Sequence, residues 1–259
     1  MVAIDLSGKK GIVFGVANKR SLAWAIAQQL AEAGARLAFT YQGERLRENV
    51  SELAAPLPGS LVLECDVSSD EQIDSVFGDV EKEFGGLDYL VHSIAFARKE
   101  DLEGAFLDTP PAGFTVALTI SAYSLIALAR RAVPLMERGA GGGILTMTFL
   151  ASQRVFFNYN VMGSAKAALE QIVRQLAWEL GAKNIRVNAI SAGPVSTLSA
   201  RGIARFTEML EHHRSRAPLR RNVTQEEIGR AGLFLLSDLA SGVTGEILHV
   251  DAGYSIMGL

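Results

Sequence analysis

Short apolar runs alternate with amphipathic stretches along the whole chain. Residues 11–16 (GIVFGV) form an apolar run bounded by glycines. Leu22, Ala25, Ile26 and Leu30 then recur at helical spacing, and Gly34 stands where a helix would end. Further apolar runs occur at 36–41 (RLAFTY), 60–67 (SLVLECDV), 87–95 (LDYLVHSIA), 144–149 (ILTMTF), 185–191 (IRVNAIS) and 246–250 (EILHV). They are short and free of proline, as strands buried on both faces are. Between them, helical spacing marks 44–53, 71–84 (through Ile73, Val76, Phe77, Val80 and Phe84), 112–136, 157–180 and 225–236. Residues 96–111 carry no clear period and are expected to lie over the strand ends. After the Gly193-Pro194 break, 195–216 reads as a helical flap. Strand and helix alternate throughout, so the pattern predicts an α/β fold: a Rossmann-like, doubly wound parallel sheet of seven strands. No internal repeat, low-complexity tract or linker divides it, which predicts one domain over 1–259.

Composition narrows the function. Of 259 residues, 49% are hydrophobic and 20% charged, which suits a large core. A net charge of −3 gives no general affinity for nucleic acid. One cysteine excludes an internal disulfide and a cysteine-based zinc site, and Cys65 lies inside an apolar run as a buried thiol would. No His spacing suggests a metal ligand set. His212 and His213 read as exposed. The first residues, MVAIDLSGKK, form no apolar signal region, and no run reads as long enough to span a bilayer, so a soluble cytoplasmic protein is expected.

Ligands of doubly wound sheets lie outside the carboxyl ends of the strands. Gly15, Gln42, Asp66, Ile94, Phe149 and Gly193 all fall at or just past predicted strand ends. The turn after the first strand can present backbone N–H groups and a helix N-terminus to a phosphate. By motif it is weak: only Gly15 of the G-x-G-x-x-G fingerprint is present, and Ser21 stands near a later glycine position. Past the second strand, Gln42 holds the place where an acidic residue usually reads the adenosine ribose. Arg45 and Arg47 follow; they suit either a 2′-phosphate or a solvated helix face, so NADH and NADPH both stay open. Asp66 can accept a hydrogen bond from adenine or cap the next helix, though Ser68, Ser69 and Asp70 are better placed to cap. Tyr159 and Lys166 are seven apart, which brings them to one face of a helix, with the small residues Gly163, Ser164 and Ala165 between. A phenol titrates near 10, and a fixed cation beside it is expected to bring it down toward neutrality.

The order of these elements resembles the short-chain dehydrogenase/reductase family over essentially the whole chain. The common Tyr-x-x-x-Lys pair of that family is absent, because Gly163 stands four residues after Tyr159. The Tyr-x6-Lys spacing of YNVMGSAK is instead similar to one branch, the bacterial NADH-dependent enoyl-(acyl-carrier-protein) reductases. GVANKRSLAWAIA, TYQGERL, LDYLVHSIAFA, RVNAISAGPVSTLSARGI, APLRRN and TGEILHVDAGY resemble that branch in order and spacing. The resemblance implies reduction of the trans-2 double bond of enoyl thioesters in the fatty acid elongation cycle. It implies NADH, with NADPH as the lesser alternative. Gly15, Ser21 and Leu22 would hold the pyrophosphate, Gln42 would lie near the adenosine ribose, and Asp66 with Val67 near adenine. Ile94 would meet the nicotinamide and Lys166 its ribose. Val195, Ser196, Thr197, Leu198 and Ser199 would wrap the nicotinamide and phosphates. Tyr159 and Lys166 would be catalytic, Ala97 and Phe149 would touch substrate, and no metal is needed. One departure stands out: Phe149 replaces the second tyrosine of that branch. Thr146 and Thr148 lie on the opposite side of the strand and do not replace its hydroxyl. The resemblance also implies an acyl-carrier-protein partner, for which Arg201, Arg205, Arg214, Arg216, Arg220 and Arg221 offer charge, and a homotetramer. The flap residues Leu198, Ile203, Phe206, Met209 and Leu210 suit an acyl chain. A carbonyl reductase of the same family and a cofactor-binding regulator that has lost catalysis are the alternatives.

Overall fold

The computed structural model describes residues 4–197 and 205–258. Seven parallel strands form one sheet in the order β3-β2-β1-β4-β5-β6-β7. They are β1 (Lys10–Phe14), β2 (Arg36–Tyr41), β3 (Leu61–Glu64), β4 (Tyr89–His92), β5 (Gly142–Thr148), β6 (Ile185–Ala192) and β7 (Ile247–Val250). The helices are α1 (Leu22–Glu32), α2 (Glu44–Ala54), α3 (Asp70–Phe84), α4 (Pro111–Leu118), α5 (Ser124–Met136), α6 (Asn160–Leu180), α7 (Phe206–Arg216) and α8 (Gln225–Leu236). This is the doubly wound single domain that the alternating pattern predicts.

Alternate residues of each strand serve opposite faces. Ile12, Leu90, Ile144 and Val187 pack with residues of α3, α5 and α6, such as Val80, Leu128 and Leu169. Val13, Val91, Leu145 and Ile190 join Ile26, Leu30, Ile228 and Leu235 of α1 and α8 on the other face. Each fully buried Leu or Ile there contributes about 1.5–3 kcal/mol of transfer free energy.

Three expectations need correction. Strands β3 and β4 are shorter than their apolar runs. Glu64 is the last residue of β3 to pair with β2, opposite Tyr41, and His92 the last of β4 to pair with β1, opposite Phe14. The Cys65 and Ser93 amides make the last bonds across, to the Tyr41 and Phe14 carbonyls at 2.8 and 3.1 Å, and residues 66–67 and 94–95 then form the carboxyl-end rim. The long helix at 111–136 is continuous but passes through a π-helical turn at Thr119–Tyr123. That helix is also long and apolar enough to cross a bilayer by length and composition, contrary to the expectation that no run would be. Half of its apolar window is buried inside this fold, and the core helix of a globular domain passes the same test.

Candidate active site

The turn from β1 to α1 depends on Gly15. Its φ is +98°, and a Cβ there would stand 2.0 Å from the Ser93 carbonyl oxygen at the end of β4. The backbones of two strand ends therefore touch at the floor of the site. Ser21 Oγ accepts from the Ala17 and Asn18 amides at 3.0 and 3.2 Å, which closes the turn. Ser21 makes no side-chain cap to α1. The amides of the first turn of α1, Leu22 included, thus face the site as an anion-binding end.

Gln42 and Asp66 meet at the ends of β2 and β3. Gln42 Nε2 donates to Asp66 Oδ2 at 3.0 Å, and Ser68 donates to Asp66 Oδ1 through its amide at 2.9 Å and its hydroxyl at 2.6 Å. The Ser68 hydroxyl, first among these bonds, holds the Asp66 carboxyl below the ordinary range. Ser69 caps α3 by accepting from the Gln72 amide at 3.3 Å, so Asp66 is left to the groove. Val67 follows, packed against the core.

Beyond β4, residues 93–97 run along the site as a strap. Ser121, in the π-helical turn, brackets it: the Phe96 amide donates to Ser121 Oγ at 2.9 Å, and Ser121 Oγ donates to the Phe96 carbonyl at 3.1 Å. Beneath lies His92, with no exposed surface, its Nδ1 2.8 Å from Thr146 Oγ1 and its Nε2 2.8 Å from Ser124 Oγ. Burial, with the Lys166 charge adding to it, pushes His92 down to about 3, so it is neutral.

Tyr159 is the N-cap of α6 and precedes the helix, where a helical position was expected; its backbone sits at φ −126°, ψ −1°. Its ring meets Phe149 edge-on at 5.3 Å, and Phe149 meets Phe156 at 4.7 Å. Lys166 is buried and donates from Nζ to the Met147 carbonyl at 2.9 Å. The small residues between them have a clear use: a Cβ on Gly163 would come within 3.0 Å of the Ala151 carbonyl oxygen, so the turn after β5 lies directly on α6. Burial pushes Lys166 down to about 8, opposed by the Glu170 charge. Burial also raises the Tyr159 phenol above 10. The expected lowering of the phenol by Lys166 is therefore not found: burial alone accounts for the direction of the shift.

A cavity of about 480 Å³ collects these groups at the carboxyl ends of β1, β4, β5 and β6. Gly15, Ser21, Leu22, Ile94, Ala97, Phe149, Tyr159, Lys166, Val195 and Thr197 all line it. Gln42, Asp66 and Val67 lie further along the same sheet edge, outside the cavity. Ser196 does not line it, and Leu198 and Ser199 lie outside the described residues. His213, expected to be exposed, is buried; its ring stacks on Tyr254 at 4.4 Å and its Nδ1 lies 3.0 Å from Asn222 Oδ1. Arg205, Arg214 and Arg221 pair with Glu208, Glu211 and Glu227 and are neutralised locally, while Arg201 and the flap residue Ile203 lie outside the described residues. The sequence reading missed His92, Ser121, Thr148 and Glu170. Glu170 carried a signal, as an acid four residues from Lys166 on an otherwise apolar helix face.

Residues 15–255 match the model of a family described as enoyl-(acyl carrier protein) reductase. The chain belongs to that family. The NADH-type enoyl-(acyl-carrier-protein) reductase of Bacillus cereus is 55% identical over 255 residues, covering 98% of this chain and 99% of that protein. The corresponding protein of a Nostoc species is 52% identical over 259 residues, covering 99% and 100%. Among solved structures, the Bacillus cereus reductase with NADP⁺ and an indole naphthyridinone superposes with a TM-score of 0.95 at 55% identity, over 98% of this chain and 99% of that one. The Anaplasma phagocytophilum reductase in complex with NAD gives 0.94 at 46%, over 98% and 96%. Enoyl reductases of this family thus share the chain's fold from end to end.

Proposed function

We propose that this chain is an NADH-dependent enoyl-(acyl-carrier-protein) reductase of the fatty acid elongation cycle, with Tyr159 and Lys166 as its catalytic pair. The observation that carries the proposal is the convergence of Tyr159, Lys166 and the Gly15 turn on one cavity. The residues present fit a dinucleotide. The Gly15 backbone leaves no room for a side chain, and the uncapped start of α1 offers amides to a pyrophosphate. Gly15, Ser21 and Leu22 would hold the pyrophosphate, Ile94 and residues 195–199 the nicotinamide half, and Lys166 the ribose. Gln42 and Asp66 would take the adenosine end, with Val67 beside adenine. NADH, when bound, supplies the hydride that goes to the β-carbon of the enoyl thioester.

Negative charge would then develop on the thioester oxygen as an enolate, and uptake of a proton at the α-carbon would complete the reduction. Tyr159, neutral at physiological pH, donates its O–H hydrogen bond to that oxygen where the charge appears. A raised phenol suits this role, since it keeps the donor protonated. Lys166 supplies positive potential from below and orients the ribose. Phe149 packs edge-on against Tyr159 and limits its rotation, while Ala97 and Phe149 border the acyl group. The strap at 93–97, held by Ser121, excludes water from that side.

The Asp66 carboxylate supports NADH: held below its ordinary range and accepting from the Gln42 amide, it brings a negative charge beside the residue that would read the adenosine ribose, which disfavours the 2′-phosphate of NADPH. Residues 195–216 would act as the substrate flap. Arg216, Arg220 and the partly neutralised arginines near it would face an acidic carrier protein. Phe114, Tyr123 and Trp178, exposed at 37%, 46% and 79%, leave an apolar face on the α4–α5 and α6 side that further copies would cover in a homotetramer. We place the enzyme in the cytoplasm. Oxidation of NADH by the purified chain with a trans-2-enoyl thioester is the test. NADH binding without turnover would favour the regulator reading, and turnover of ketones alone the carbonyl reductase.

A further inference from the structure

Glu170 stands one turn beyond Lys166 on α6, and no step above uses it. Lys166 is 5% exposed and Glu170 3%, and residues four apart share a helix face. Both are pinned to consecutive residues at the end of β5. Lys166 Nζ donates to the Met147 carbonyl at 2.9 Å, and Thr148 Oγ1 donates to Glu170 Oε1 at 2.8 Å. On the solvent side, Arg174 Nη2 lies 3.9 Å from Glu170 Oε2, beyond hydrogen-bonding distance. His92, on β4, feels the Lys166 charge, and Tyr159, at the start of α6, lines the same cavity as Lys166. Both are neutral, since burial lowers the imidazole and raises the phenol. Glu170 is the anion that acts on Lys166.

We propose that Glu170 is a positioning residue that, from the same buried helix face and without pairing directly with it, keeps Lys166 in its charged form on the Met147 carbonyl, ready for the cofactor. The proposal rests on the assignment of Lys166 to the nicotinamide ribose. A buried ammonium with no anion near it gives up its proton more readily than a solvated one. Lys166 already sits near 8 with Glu170 in place. Without that charge it would fall further, and the ammonium would be lost at lower pH.

The test reads cofactor binding, so it does not depend on enoyl turnover. NADH fluorescence is titrated with the wild-type chain, Glu170→Gln and Glu170→Asp between about pH 6 and pH 9. Glutamine keeps the shape and still accepts from Thr148, but carries no charge. At about pH 6, where Lys166 is protonated in every variant, Glu170→Gln should bind NADH within about twofold of wild type. At about pH 8 it should bind roughly fivefold more weakly for a fall of one pKa unit, as the protonated fraction drops from about one half to about one tenth. Glu170→Asp should lie between the two. A Glu170→Gln curve that is merely lowered by the same factor at every pH overturns the proposal, as does one that coincides with wild type. Should Glu170→Gln fail to fold by circular dichroism, the aspartate variant decides: coincidence with wild type, or a uniform loss, overturns it. A wild-type chain that binds no NADH at any pH removes the site reading and this proposal with it.

Discussion

The two ends of the proposed cofactor groove are built on opposite terms. At the adenosine end, Gln42 and Asp66 are hydrogen-bonded to each other and to Ser68 on an open rim. At the nicotinamide end, Lys166, Glu170 and His92 are buried, and each is held by partners from β4, β5 or the helix after them. Charges on the open rim are screened by water, and changing one costs little. Charges beneath the cavity have lost their hydration, so their protonation states depend on one another. Under the proposed assignment, the open end would set cofactor preference and the buried end whether chemistry occurs.

Breaking the buried end should give the largest effects. Tyr159→Phe should lower turnover about 10²–10³-fold, the scale for removing one donor to a developing oxyanion, while leaving NADH affinity within about twofold. Steady-state kinetics with a separate NADH titration checks both. Lys166→Ala should weaken NADH binding by roughly tenfold or more, through loss of a charged hydrogen bond worth about 1.5–3 kcal/mol; an unchanged dissociation constant would remove the ribose role. Gly15→Ala tests the floor that joins the two ends. With φ at +98° and the Ser93 carbonyl 2.0 Å from the new Cβ, the loop must move. The cost should be about 1–3 kcal/mol, read as a lower melting temperature together with weaker NADH binding. At the open end, Asp66→Asn should leave turnover with NADH nearly intact and raise NADPH use relative to NADH by about three- to tenfold, measured as the ratio of the two kcat/KM values. Phe149→Tyr should give the smallest change, a turnover rise of about twofold or less, because Tyr159 already supplies the donor; a tenfold gain would mean that the second phenol matters.

Hydrophobic spacing made much of the fold legible, because burial imposes the periods of strand and helix. The reading of 36–41 as a strand and 225–236 as a helix coincides with β2 and α8. It failed where core packing continues after pairing stops: Val67 and Ile94 are apolar enough to extend β3 and β4, but β2 and β1 no longer pair with them. At the site, position was more legible than electrostatics. The spacing brought Tyr159 and Lys166 to the cavity, yet the sign of the phenol shift depends on desolvation, which no spacing encodes. His213 was misread because charged neighbours such as Arg214 surround it in sequence, while in space it faces Tyr254 and Asn222. Glu170 escaped because an acid in a helix is ordinarily solvated.

The π-helical turn at Thr119–Tyr123 has a consequence for how this chain can change length. It wraps one extra residue into an otherwise regular helix. Deleting a single residue there would let the helix close up smoothly, and backbone propensity would not object. Because the widened turn absorbs the extra residue, the two halves would keep nearly their present phase, whereas the same deletion in a regular stretch would turn them by about 100°. Ser121, which grips the Phe96 strap, lies within the widened turn, and Ser124, which meets His92, lies just beyond it. The deletion would therefore spare the alignment of the flanks and act on the turn itself, so that Ser121 and its hold on the strap are what such a loss would displace.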